Sequence, residues 1–333
     1  MNKIWNELLQ YETRDLVERF VNKRHGKALN ANRALQINSN FIQGRAYFES
    51  AEKASFTVRP LLQYYGVMAL SKGLILSLDY SKTEAQLKSS HGLEVKNWKE
   101  IIKSKQYENL EITIGNGTFW ELISVTKNSN YLRANSTKIN YYAPMTPSKI
   151  GNIFTLKQLI NYFPDLRKEY FSWIEEELAF EVLRSVNIDS SKDKVEVLLN
   201  GEIDKKKLEL YFHRNHCPDW KIGYSGINTL IVFDKKEWFP NVTQMWHSSH
   251  DIGDACIVPT LPNDIGLNMI SSLYMISYVL GMMARYFPTA WISLKRSEKG
   301  DKIYPFVYRI LDFIHEKFPI IILDFLNAPY GFK

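Results

Sequence analysis

Two cations stand where charges are rare. Lys72 lies within Arg59–Leu76, a stretch apolar round most of a helical circumference, and Arg285 closes a second apolar stretch just before Tyr286-Phe287-Pro288. A buried ammonium or guanidinium is costly unless it meets a carboxylate, a group of carbonyls or an anionic ligand. Both residues are therefore candidate ligand contacts, although an arginine near a helix C-terminus also satisfies terminal carbonyls. A third basic feature precedes them. Residues 19–48 hold Arg19, Lys23, Arg24, Lys27, Arg33 and Arg45 with no Asp or Glu, and this charge equals the formal net charge of the whole chain, +6. Such concentration points to an anionic partner. RNA, DNA or a nucleotide would meet Lys23, Arg24, Lys27, Arg33, Arg45, Arg59, Lys72 and Arg285; the structural alternative is a solvated face or a patch for an acidic protein.

Arg309-Ile-Leu-Asp312-Phe-Ile-His315 carries the Arg-x4–6-His spacing of HEPN ribonucleases. There the arginine would stabilise phosphate charge while the histidine moves a proton, without metal. The bland alternative is an Arg309–Asp312 pair one turn apart with His315 satisfied locally. A metal site is another expectation, because His213, His216, Cys217, His247, His250 and Cys256 gather four of the seven histidines and both cysteines of the chain. Zinc takes about four such ligands, yet neither histidine pair has a familiar zinc spacing, and no cofactor is otherwise implied. No Walker loop, GxGxxG, serine elbow or His-Glu-x-x-His occurs. Gly115-Asn116-Gly117 reads as a hairpin turn between strands Leu110–Ile114 and Thr118–Thr126, not as a phosphate loop before a helix.

These groups need a scaffold. Pro60 opens a long central helix reaching about Leu78, and Gly66, Ala69 and Gly73 make a side-chain-poor stripe along it. Ser277, Gly281 and Ala284 form a matching stripe in Leu267–Arg285. The two stripes predict a close crossing that ties the chain's two ends together. Residues 25–40, with Gly26 and a run of asparagines, read as loop, and a helix from about Gly44 to Ser55 follows. Strands are predicted at Leu178–Val186, Val195–Leu199, Trp220–Tyr224, Asn228–Phe233, Val242–Ser248 and Ala255–Val258, whereas 127–153 reads as loop. The fold class is α+β, predominantly helical: a discontinuous helical core, HEPN-like by analogy, with a strand-rich middle insertion. The expected boundaries are 1–94 and 263–333 for the core and 95–262 for the insertion.

Several stretches carry a resemblance. Gln43-Gly44-Arg45-Ala46-Tyr47-Phe48, Arg59-Pro-Leu-Leu-Gln-Tyr-Tyr-Gly, His91-Gly92-Leu93, Asn116-Gly117-Thr118-Phe119 and Arg285-Tyr286-Phe287-Pro288 with Trp291 resemble the YaaC-like family of bacterial proteins. The family has no settled activity, so the resemblance implies a cytoplasmic setting and no catalytic residue. Composition agrees: the N-terminus has no signal-peptide pattern, two cysteines build no disulfide framework, and Met269–Ala284 is too short and polar for a membrane span. A homo-oligomer remains an open alternative.

Overall fold

The computed structural model describes residues 3–133, 140–144, 148–189, 191, 193–209, 211, 220–234, 246–248, 255–262, 265–295 and 301–328. By its contacts the chain forms two units. The first is Met1–Thr126 with Lys149–Lys157 and Ile270–Lys333, and the second is Lys127–Ser148 with Gln158–Met269. The division therefore falls after 126 and 269 rather than after 94 and 262. The physical reason is a small sheet in the first unit. Strand β1 (Leu93–Val95) pairs with β2 (Glu111–Ile114), which pairs with Ile153–Thr155, so 95–126 and 149–157 stay with the helices.

The first unit is built on α4 (Arg59–Leu78), whose side chains are enclosed along most of its length. Among the described residues it is the one helix long and apolar enough to cross a membrane, and 67% of its 18-residue apolar stretch is buried within the protein. Before it come α1 (Lys3–Leu8), α2 (Arg14–His25) and α3 (Ala31–Lys53). The asparagines read as loop cap α3 or lie inside it, and Asn30, Asn38 and Asn40 each find a specific partner there. Asn30 caps the helix by accepting from the Arg33 N–H at 2.9 Å. Buried Asn38 donates to the Tyr11 carbonyl at 2.7 Å, and Asn40 donates to the Gln36 carbonyl one turn back.

The glycine stripe of α4 faces α3 and not the late helix. A Cβ on Gly66 would stand 2.6 Å from Phe48, one on Gly73 2.9 Å from Phe41, and one on Gly44 of α3 2.6 Å from Leu70. These pairings descend along one helix as they ascend the other, so α3 and α4 run antiparallel in close contact. The late helix Met269–Tyr286 does cross α4, but through its own glycine: a Cβ on Gly281 would come within 2.9 Å of Tyr64 Cβ and 3.4 Å of the Pro60 carbonyl. The last helix, Tyr304–Asn327, is tied to α4 by Gln63, whose amide donates to the Leu311 carbonyl at 2.7 Å, and by the Arg59–Asp312 ion pair at 2.6 Å. The ends of the chain do pair around α4.

The second unit carries a six-stranded antiparallel sheet. Strands β6 (Glu181–Asp189), β7 (Lys194–Leu199), β8 (Lys221–Ser225), β9 (Asn228–Asp234), β10 (Trp246–Ser248) and β11 (Ala255–Ile257) lie in the order β10-β11-β6-β7-β9-β8. Strict alternation makes this sheet legible: Val195, Val197 and Leu199 on β7 and Ile231 and Phe233 on β9 point into one core with Leu183, Leu208 and Ile257. A separate hairpin, β3 (Ser129–Arg133) with β4 (Asn140–Pro144), occupies part of the stretch read as loop. The fold is α+β and predominantly helical; the HEPN analogy is not confirmed.

Candidate functional site

Two of the expected ligand cations, Lys72 and Arg285, lie on the first unit, and the charges of both act on His91. Its loop is held by an unusual backbone contact: a Cβ on Gly117 would lie 2.3 Å from the Gly92 nitrogen, closer than any side chain allows. Gly92 also takes φ +79°, the left-handed region that suits glycine. Two of the motifs that carried the resemblance thus press against each other, and they fix His91.

Gly117 does not close a hairpin. It leads into the helix Thr118–Thr126, where the second strand of a hairpin was expected. Tertiary packing overrides that reading: Phe119, Leu122, Ile123 and Thr126 are buried at helical spacing. Glycines before a helix invite a phosphate reading, but the first donors are already engaged. The Thr118 N–H donates to the Ser90 carbonyl at 3.0 Å and the Phe119 N–H to the His91 carbonyl at 3.1 Å.

The His91 ring is fixed as firmly as its backbone. Its Nδ1 is 2.7 Å from the hydroxyl of buried Tyr64, and its ring packs at 5.4 Å from Tyr64 and 5.7 Å from Tyr278. Burial holds its pKa below the ordinary histidine value, and the charges of Arg285 and Lys72 lower it further. Burial raises the Tyr64 phenol far above the ordinary range, so it keeps its proton. Tyr278 is pushed up to about 12, chiefly by burial and then by Glu94 and Tyr286.

Around this ring the surface is cationic and aromatic. Arg285 donates to the Tyr65 hydroxyl at 3.0 Å and lies over the Tyr286 ring at 5.0 Å. Tyr65 packs in turn against Tyr47 at 5.6 Å. Lys72, on the same face of α4 as Tyr65, is half-buried rather than enclosed. Among the described residues neither Lys72 nor Arg285 has a carboxylate partner. The sequence singles out Lys72 and Arg285 by their apolar surroundings, whereas His91 is visible there only as part of a motif.

The basic segment behaves differently. Arg24 donates to the Leu326 carbonyl at 3.3 Å near the end of the last helix, and Arg33 to the Asp79 carbonyl at 2.9 Å at the end of α4. His25 meets the Ser77 carbonyl at 2.9 Å, and Lys27 and Arg33 both lie over the Tyr80 ring. These groups satisfy helix C-terminal carbonyls and oppose their dipoles. Arg45 is forked onto both oxygens of Glu12 at 2.7 and 2.8 Å, with Glu49 as a further partner. Lys23 stays exposed in the last turn of α2.

The other candidates are scattered. Arg59 pairs with Asp312. Arg309 reaches Glu316 at 3.9 Å and lies over Phe313, while the charges acting on His315 are Glu52, Arg59, Asp312 and Glu316. Of the metal candidates, His213, His216, Cys217 and His250 lie outside the described residues. His247 and Cys256 are register partners on β10 and β11, and Cys256 is buried. Among the described residues no group of three or more His, Cys, Asp or Glu is placed to hold a metal ion.

The fold and this cluster define an α+β protein with a cation-rich, tyrosine-lined face on a central helix. The chain belongs to the YaaC-like protein family, whose sequence model matches residues 9–326. No curated protein and no solved structure matches it. Many of the family-like residues do structural work in this chain. Arg59 and Gln63 tie α4 to the last helix, Gly92 and Gly117 touch, and the Trp291 indole donates to the Phe56 carbonyl at 2.9 Å.

Proposed function

We propose that the protein binds a nucleotide-sized phosphorylated ligand at the Lys72–His91–Arg285 cluster. The observation that carries this reading is that Arg285, hydrogen-bonded to Tyr65 of α4 beside the Tyr64–His91 pair, and Lys72 on the same face of α4 as Tyr65 both act on His91 by their charge, and neither has a carboxylate partner among the described residues. In the tautomer in which Tyr64 donates to Nδ1, the opposite ring nitrogen carries the proton and is a third donor. Tyr47, Tyr65 and Tyr286 supply faces for a base. A polynucleotide would need an extended basic track along the backbone. Residues 19–48 do not offer one, because Arg24, Arg33 and Arg45 are engaged within the protein.

Titration of the full chain with ATP, GTP, AMP and inorganic phosphate tests this. Saturable binding is expected, weakened at least about tenfold by Lys72→Ala or by Arg285→Ala, since a charge-assisted hydrogen bond contributes about 1.5–3 kcal/mol. Affinity should rise as the pH falls through the His91 titration, because a bound anion favours the imidazolium. Equal affinity in the wild type and both variants would sink the reading.

A further inference from the structure

The first unit contains a cleft of about 680 Å³. Trp5 from α1, Glu52 from α3, Arg59 at the start of α4, and Tyr308, His315 and Glu316 of the last helix are on its wall. Its electrostatics are the opposite of those around His91. Glu49 and Asp312, which also line it, are held by Arg45 and Arg59. Glu52 has no ion-pair partner among the described residues, and Glu316 reaches Arg309 only at 3.9 Å. Two carboxylates are thus available to a positive group. With Lys53 and Arg59 as the cations of the lining against four carboxylates, the cleft is net negative.

A plain cation does not complete the cleft, however. The Arg59 side chain is only 11% exposed, and its Nε–H is buried with no acceptor; His315 Nδ1 is buried without a partner as well. Leaving a buried donor unmade costs about 1–3 kcal/mol, so the site calls for an acceptor deep inside. Pro319, on the same wall, has no N–H for the His315 carbonyl four residues back, which leaves that oxygen without its helical donor. Trp5 and Tyr308 offer apolar ring surface beside these groups.

We infer that this cleft binds a free amino acid as its zwitterion. The ammonium group lies toward Glu52, Glu316 and the His315 carbonyl. A carboxylate oxygen accepts from Arg59 Nε–H and, in the Nδ1–H tautomer, from His315. The side chain rests on Trp5 and Tyr308. This inference is independent of the phosphate site, which has the opposite charge and shares none of these residues.

Ligand-observed NMR of the full-length chain with the twenty L-amino acids, followed by calorimetry on those that bind, tests it. At least one amino acid should bind with Kd below about 1 mM. Its decarboxylated amine and its deaminated acid should each bind at least tenfold more weakly. Glu52→Gln, at an exposed position, should weaken the parent tenfold without moving the melting temperature, whereas Lys72→Ala should leave it unchanged. The assignment is overturned by no binding below that limit, by an amine that binds as well as its parent amino acid, or by unchanged affinity in Glu52→Gln.

Discussion

His91 and His315 are both half-buried and both held below the ordinary histidine pKa by burial, yet the charges around them differ in sign. His91 has its Nδ1 bonded to Tyr64 and feels the positive charges of Arg285 and Lys72. His315 has an unpartnered Nδ1 and feels Glu52, Asp312 and Glu316 against the one positive charge of Arg59, in a cleft that Lys53 also lines. Desolvation alone therefore says little about a histidine's role. The signs of the neighbouring charges, and whether its ring nitrogens are already bonded, decide what it can meet. α4 serves both, presenting Tyr64, Tyr65 and Lys72 to one site and Arg59 to the other.

The comparison can be broken most sharply at Gly117. A Cβ there would collide with the backbone of Gly92, so Gly117→Ala should cost about 3 kcal/mol by overpacking, read from the urea midpoint. It should also displace His91 and abolish phosphate binding while amino-acid binding in the cleft survives. Asp312→Ala makes the reverse cut. It leaves the largely buried Arg59 without its carboxylate, a loss of about 2 kcal/mol once the partial exposure of Asp312 is allowed for. Nucleotide affinity should not change.

A smaller effect separates the sites from the basic segment. Replacing Lys23, Arg24, Lys27 and Arg33 with alanine removes cations from helix C-termini, so stability should fall by about 1 kcal/mol with nucleotide affinity intact. Lost affinity with unchanged stability would return the anion site to residues 19–48. The smallest effect is on pH dependence. Both histidines have folded pKa values below the unfolded value of 6.5, so the unfolded chain binds more protons just below that pH. Their contribution is fully present above about pH 6.5 and is lost as the pH falls towards the depressed folded values. His91→Asn and His315→Gln should each flatten the acid limb of a stability–pH profile.

The strands of the second unit could be read from the sequence because alternation along β7 and β9 is a local signal that packing reinforces. The errors fell where local and tertiary preferences conflict. Thr118–Thr126 has strand-forming residues, but its burial at i, i+3, i+4 and i+7 was the truer signal. The asparagines of α3 suggested loop until Tyr11 and Gln36 supplied acceptors for two of them. Gly66 and Gly73 correctly announced a close helix neighbour, but a small stripe does not name its partner, and α3 took the place assigned to Met269–Tyr286.

By itself the sequence determined the fold class, the two long helices that pair across the chain, and the odd placement of Lys72 and Arg285 among apolar residues. Periodicity and the cost of burying charge act within one or two turns, and both can be read from a single segment. Only the tertiary structure decided which cations stay without carboxylates. It turned Arg24 and Arg33 onto helix-end carbonyls and placed Arg285 on the Tyr65 hydroxyl of α4. The reason is physical: a cation's role is set by what lies within a few ångströms of its head group, and here those groups come from segments up to three hundred residues away.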